Sequence, residues 1–408
     1  MKFDGIIIGG GPAGMFASII AAREGQKVLL LEKNDRLGKK LLITGKGRCN
    51  ITNDCSAREV LENVPRNSRF LYSAMEAFPP ESIIRFFNEH NCATKTERGN
   101  RVFPVSDMSS SVLGCLKEQM HRSGVIVRYE KAIGILENEG HVCAVQTHSG
   151  NIDCDWVILA TGGLSYPATG STGDGYHISE SFGHEIVPTE GSLVPLEIVE
   201  QDCLRLQGLS LRNIELKLLN GKNKLLYKDF GELLFTHFGV SGPTVLSASA
   251  HLKGDGCKLC IDLKPALDEG KLNDRILRDL EQYKNRSMEN ALTDLLPRAM
   301  IPVVLERIGV DGSLQANSFK KEHRKELIQV LKSFQLTVAG RRPVEEAIIT
   351  SGGVKVSQID PKTMQSKLID GLYFAGEIID CDAYTGGFNL QIAWATAYAA
   401  AMAAKNDH

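Results

Sequence analysis

The sequence predicts an α/β fold interrupted by a long insert, and three observations carry that prediction. An apolar, β-branched run at 3–8 passes through Gly9-Gly10-Gly11 into a helical stretch and then into a second apolar run at 27–31. The same style returns after about Ala347. Between them, from about Leu193, short alternating segments give way to charged helical ones. Both ends of the chain therefore belong to one α/β domain, and the middle forms a two-part insert.

The elements follow in order. FDGIII at 3–8 has the continuous apolar character of a buried parallel strand. Pro12 to Arg23 is rich in small residues and helical, Gly25 closes it, and Lys27–Leu31 is the next strand. IELKLL at 214–219 and GELLFTHF at 231–238 alternate as antiparallel strands or a small barrel would. LNDRILRDLEQY at 272–283 and HRKELIQVLKSF at 323–334 are helical, and the charged run 320–326 is a solvated helix face. GLYFAGE at 371–377 is a strand ending in glycine, and Leu390 to Ala404 is an uncharged buried helix. The expected boundaries are 1–192 with 337–408 for the nucleotide-binding domain, 193–264 with 332–346 for the barrel-like insert, and 265–331 for a helical subdomain.

Composition narrows the function. The chain has 408 residues, 43% of them hydrophobic and 24% charged, which is ordinary globular composition too long for one core. Its 47 basic and 49 acidic residues leave a net charge of −2, so no nucleic-acid partner is expected. Ten scattered cysteines match a reducing, cytoplasmic setting rather than a disulfide framework. The apolar start is not expected to be a signal peptide, because Asp4 and the glycine run break it. The run 390–404 is too short for a bilayer, so no membrane partner is expected.

Gly9-Gly10-Gly11-Pro12-Ala13-Gly14 contains G-x-G-x-x-G directly after a strand and opening a helix. Gly9 permits the tight turn, Gly11 lets a pyrophosphate approach the backbone, and Gly14 lets the helix pack close to the strand. Pro12 and Ala13 lie in the first turn, where free N–H groups and the helix dipole favour phosphate. Glu32 ends the second strand, where a carboxylate accepts the ribose hydroxyls.

DWVILATGG at 155–163 is a strand ending in Ala160-Thr161-Gly162-Gly163. With the late Gly376-Glu377, this order resembles the two-dinucleotide-binding-domain flavoproteins, a Rossmann-like architecture. That resemblance implies FAD, with Gly376 and Glu377 along its ribityl chain and pyrophosphate. Gly170, Gly173 and Gly175 have the wrong spacing for a second motif, so no separate NAD(P)H domain is expected. Gly386 and Gly387 open the last helix, whose free N–H groups would favour negative charge on a reduced flavin ring.

Leu37-Gly38-Lys39-Lys40-Leu41 with Thr44-Gly45-Lys46-Gly47-Arg48-Cys49-Asn50 resembles the BaiN/YhiN-like family of NAD(P)/FAD-dependent oxidoreductases, which includes aminoacetone-oxidase-like flavoproteins. GGLSYP at 162–167, GSTGDGY at 170–176, SLVPL at 192–196, GELLFTHFG at 231–239, SGP at 241–243 and the stretch 371–391 match as well. The resemblance implies FAD held between the glycine motifs and Phe388-Asn389-Leu390-Gln391, with Gly387 before them. It extends cofactor contact to Lys33, Lys40, Thr44, Gly45, Gly47, Arg48, Cys49, Asn50 and Ala132. The sequence departs from the pattern at Phe388, where Tyr is usual, and at Ala397, where Gly is common.

Candidates for chemistry are few. His237 has an imidazole suited to proton transfer near neutrality, and Tyr166, Arg101 and Tyr384 sit beside glycine or proline turns where site walls form. Cys49 and Cys55 are too far apart for a disulfide-reductase pair, and Cys257-Lys258-Leu259-Cys260 lacks further ligands, so no metal is expected. The resulting expectation is a small-molecule FAD oxidoreductase with NAD(P)H as transient electron donor. By the resemblance it reduces an enone of bile-acid or steroid type; an O2-dependent oxidase of a small amine or aminoketone and an RNA-modifying flavoprotein are the alternatives.

Overall fold

The structure is a computed structural model describing residues 2–405. The chain forms two compact units, one holding everything up to Ser192 and from Val344 on, the other Leu193–Pro343.

The first unit is built on a five-stranded parallel sheet in the order Leu372–Phe374, Trp156–Leu159, Gly5–Ile8, Val28–Leu31, Ile126–Arg128. Its central strands are buried at every position, which is why their sequences are unbroken apolar runs. Gly5 is required because a Cβ there would lie 2.1 Å from the Trp156 ring. The helices Pro12–Arg23 and Phe388–Ala404 pack on this sheet's core, with Phe16 and Trp394 ring centroids 5.6 Å apart. Phe388–Ala404 carries no charge on any face, as a helix surrounded by protein should. Because all five strands are parallel, the chain leaves four of them at one edge through Gly9, Glu32, Ala160 and Ala375. That edge is where α/β sheets bind ligands.

The second unit is a closed six-stranded barrel in the order Leu196–Ile198, Gly239–Ser241, Leu225–Thr236, Ser210–Leu219, Lys258–Asp262, Phe334–Arg341. Alternate residues point inward, and Leu216, Leu218, Phe235, Leu259 and Leu336 are fully buried. The helices Glu269–Gln282, Met300–Arg307 and Lys321–Lys332 share this barrel's core. Two expected boundaries are thereby corrected. Phe334–Arg341 closes the barrel, so the chain returns to the first unit at Val344 rather than at 337 or after 346. The stretch 265–331 is not a separate core, because its apolar faces are spent on the barrel.

Candidate functional site

At the carboxyl edge of the parallel sheet, the first unit holds a cavity whose floor is the glycine turn. The three glycines divide the work as their surroundings require. Gly9 adopts φ 114°, and a Cβ on it would meet the Ala160 carbonyl at 2.4 Å. A Cβ on Gly14 would lie 1.9 Å from the Gly9 carbonyl oxygen, so Gly14 sets the approach of helix to turn. A Cβ on Gly11 would meet nothing within 4 Å, so that position faces open space in the cavity. No side chain caps the helix that follows, and Pro12 stands at its start. Its first-turn amides are left for a ligand.

Glu32 is 7% exposed, and its carboxylate accepts from Gly10 N (2.7 Å), Asn34 N (2.7 Å) and Asn34 Nδ2 (2.7 Å). These bonds aim the group and leave lone pairs for hydroxyl donors. On the far wall, Glu377 accepts from Thr350 N (2.9 Å) and Ser165 Oγ (2.9 Å) and pairs with Lys40 Nζ (2.5 Å). Lys40 also donates to Ser165 Oγ at 2.6 Å, and Thr350 Oγ1 accepts from Leu164 N and Ser165 N. This network fixes one cation in the wall.

The helix Phe388–Ala404 presents a second uncapped start, with Gly387 at φ 100° as its cap. Asn389 locks the preceding loop by donating to the Ala383 carbonyl and accepting from Ala383 N. At the other end of the cavity, Asp174 takes Lys33 (2.5 Å) and Lys131 (3.0 Å). Burial pushes the Asp174 carboxyl up, but the two ammonium groups outweigh it and hold its pKa near about 2.

Of the residues expected from sequence, Gly9, Gly11, Pro12, Ala13, Glu32, Lys33, Lys40, Thr44, Ala132, Ala160, Thr161, Gly162, Gly376, Glu377, Asn389 and Leu390 line this cavity. The rest do not, for identifiable reasons. Gly14 is behind the turn. Gly45 and Gly47 are exposed on a loop, and Asn50 lies behind Gly45. Arg48 is spent on Glu97 and Asp107, with its guanidinium 4.1 Å from the centre of the Phe103 ring. Cys49 is fully buried, and burial raises its thiol to about 12. A Cβ on Gly163 would collide with Thr350 Oγ1, so that glycine serves the Glu377 network. Gly387 abuts the Thr52 backbone, Phe388 is buried, and Gln391 is consumed by Thr52 Oγ1 and the Phe78 carbonyl.

The four candidates for chemistry also lie off the cavity wall. His237 is exposed in the barrel unit against Phe238. Arg101 is exposed and bound to the Arg98 carbonyl. Tyr166 caps a short turn with φ 54°, and Tyr384 sits in the loop before the last helix with its amide on the Asn63 carbonyl. Sequence reasoning missed Gly10, Asn34, Lys39, Lys131, Ser165, Asp174 and Thr350. Gly10, Lys39, Ser165 and Asp174 lay inside the recognised motifs, which was the available signal.

Glycine cradle, two uncapped helix starts, a carboxylate with lone pairs to spare and a cation in the wall together suit a dinucleotide with a redox ring, and they fit FAD. The chain is an FAD-dependent oxidoreductase. It belongs to the family described as HI0933-like protein Rossmann domain, which matches residues 3–403. It is 30% identical to the 3-dehydro-bile acid delta(4,6)-reductase of Clostridium scindens, over 98% of both chains. It is equally 30% identical to the ribosomal RNA dihydrouridine synthase of Escherichia coli, again over 98% of both. In fold it is similar to 3-ketosteroid delta1-dehydrogenase from Sterolibacterium denitrificans, with a TM-score of 0.53, 13% identity and full coverage of both chains.

Proposed function

We propose that this protein reduces a carbon–carbon double bond conjugated to a carbonyl in a small substrate of bile-acid or steroid type, with NAD(P)H as the electron source. The observation that carries the reading is the amide-lined cavity of the first unit, opened by a strand-linked glycine motif that has no second copy in the sequence. One nucleotide is then resident, and the nicotinamide visits. FAD, when bound, supplies hydride transfer. The first-turn amides after Gly11 hold its pyrophosphate, and Glu32 accepts from its ribose. Gly376, Glu377 and Lys40 border its ribityl chain. Asn389 and Leu390, at the start of the last helix, favour negative charge at its ring, where the helix dipole is positive. The names of these two relatives, a bile-acid delta(4,6)-reductase and a dihydrouridine synthase, describe saturation of a carbon–carbon double bond, which supports this chemistry.

A second reading makes that double bond the uracil ring of ribosomal RNA. Its support is the equal identity to the E. coli relative and the charge distribution. Residues 193–343 carry more basic than acidic side chains, and the rest of the chain carries the reverse.

One anaerobic experiment separates the readings. Purified yellow protein is titrated with NADH or NADPH and then given a 3-oxo-Δ4,6 bile acid or ribosomal RNA from cells lacking the protein. Bleaching by reduced nicotinamide, then recovery of colour with a product two mass units heavier, is expected with the bile acid. The same gain on a uridine of the RNA would select the second reading. Bleaching by an amine instead, with peroxide on re-aeration, would overturn both.

A further inference from the structure

The motif at 170–176 lies at the end of the cavity beside Glu32, and its role follows from how it is held. The segment Tyr166–Gly173 leaves the anchored Ser165 and runs into the helix Asp174–Ser181. Its own backbone bonds are local, Thr169 N to the Tyr166 carbonyl and Gly170 N to the Pro167 carbonyl. Its backbone is left-handed at Tyr166, Gly170 and Gly173, so it turns sharply three times. Pro167, Ala168 and Thr172 are exposed, while Thr169, Gly170 and Ser171 face the cavity. Ties to the ribose-side strand end are few. Asn34 Nδ2 donates to the Thr169 carbonyl at 3.2 Å, and Lys33 bonds Thr172 Oγ1. Asp174 then bridges Lys33 at 2.5 Å and Lys131 at 3.0 Å, three stretches distant in sequence.

We infer that Tyr166–Asp174 is a latch over the adenosine end of the FAD cavity, and that Asp174 between Lys33 and Lys131 keeps it shut. The segment is anchored at its start through Ser165 and fastened at its end by the ionic contacts of Asp174, which salt screens, with two polar ties between them. Opening those contacts loosens the cavity wall at Thr169, Gly170 and Ser171 without disturbing the glycine turn. FAD is thereby retained kinetically, and its exchange depends on ionic strength. The inference rests on FAD occupying this cavity.

A latch differs from a simple contact in kinetics. Loss of a contact speeds release alone; loss of a latch speeds release and uptake together. The test measures both in the full-length protein, release by the return of flavin fluorescence on dilution and uptake by its quenching on mixing with apoprotein. Asp174→Asn, which keeps the shape and removes the charge, is expected to raise both rates about tenfold. Lys131→Gln, which removes one half-exposed partner, raises both about threefold on the same basis. Raising NaCl to about 1 M speeds exchange in the wild type and leaves Asp174→Asn nearly flat. Release that rises with uptake unchanged, or rates that stay within about twofold of wild type in either variant, overturn the latch. Should Asp174→Asn fold poorly, Lys131→Gln and the salt series decide. Wild-type apoprotein that takes up no FAD would overturn the latch together with the cofactor reading beneath it.

Discussion

The two units treat their hydrogen-bonding groups in opposite ways. In the barrel unit, sheet closure pairs each strand with a neighbour on both sides, and the interior is filled by side chains such as Leu216, Phe235 and Leu259. In the first unit, the parallel sheet stops with its carboxyl ends open, and two helices begin there without side-chain caps. The difference teaches where binding free energy resides. A closed sheet spends its polar backbone on itself, whereas an open α/β sheet leaves donors for a ligand to complete.

Paired core variants test this contrast most severely. Leu216→Ala, inside the barrel, should cost about 2–5 kcal/mol, read by chemical denaturation. Gly14→Ala should cost about 3 kcal/mol, because its Cβ would strike the Gly9 carbonyl at 1.9 Å. Only the second should strip the flavin, measured as the visible absorbance that survives gel filtration. If Leu216→Ala loses flavin as readily, the division of labour between units is wrong.

A subtler contrast lies within the turn. Gly11 has φ −78° and open space around its Cβ position, so Gly11→Val should melt close to wild type as apoprotein. Its side chain would occupy the cradle, and FAD affinity should fall at least about tenfold, equivalent to about 1.4 kcal/mol, by fluorescence titration. An unchanged affinity would mean the phosphates do not sit there.

The smallest effect concerns acid. His184 is 3% exposed in the first unit, bonded through Nε2 to Ser366 Oγ, and burial lowers its pKa to about 4 from an ordinary 6.5. The unfolded chain therefore binds a proton that the fold refuses between those values, and stability falls as pH drops from 6.5 towards 4. Melting temperatures of His184→Gln should decline less over that window. Asp174 acts lower. Its pKa is depressed from 3.8 to about 2, so its contribution is complete above 3.8 and is lost as pH falls through 2.

Legibility followed distance along the chain. The glycine turn was readable because strand, turn and helix start are contiguous, and Glu32 because it ends the very next strand. Of the loop at 44–50 only Thr44 reaches the cavity, for the complementary reason. Its glycines and cations resemble a phosphate loop, but Arg48 is captured by Glu97 and Asp107, 49 and 59 residues away. Ser165 and Thr350 escaped notice because the hydrogen bond that gives them a role joins positions 185 residues apart. The three polar candidates beside turns illustrate the same limit, since a turn exposes a side chain without saying what it faces.

What the sequence by itself determined is local and periodic. It set the apolar strands, the glycine turn that only residues without a Cβ can make, the uncharged last helix and the alternation of the barrel strands. Tertiary structure alone decided which charges are spent on partners and which border the cavity, and where the chain leaves the barrel. The physical reason is that backbone conformation depends on neighbours in sequence, whereas the availability of a polar side chain depends on whatever the fold brings against it.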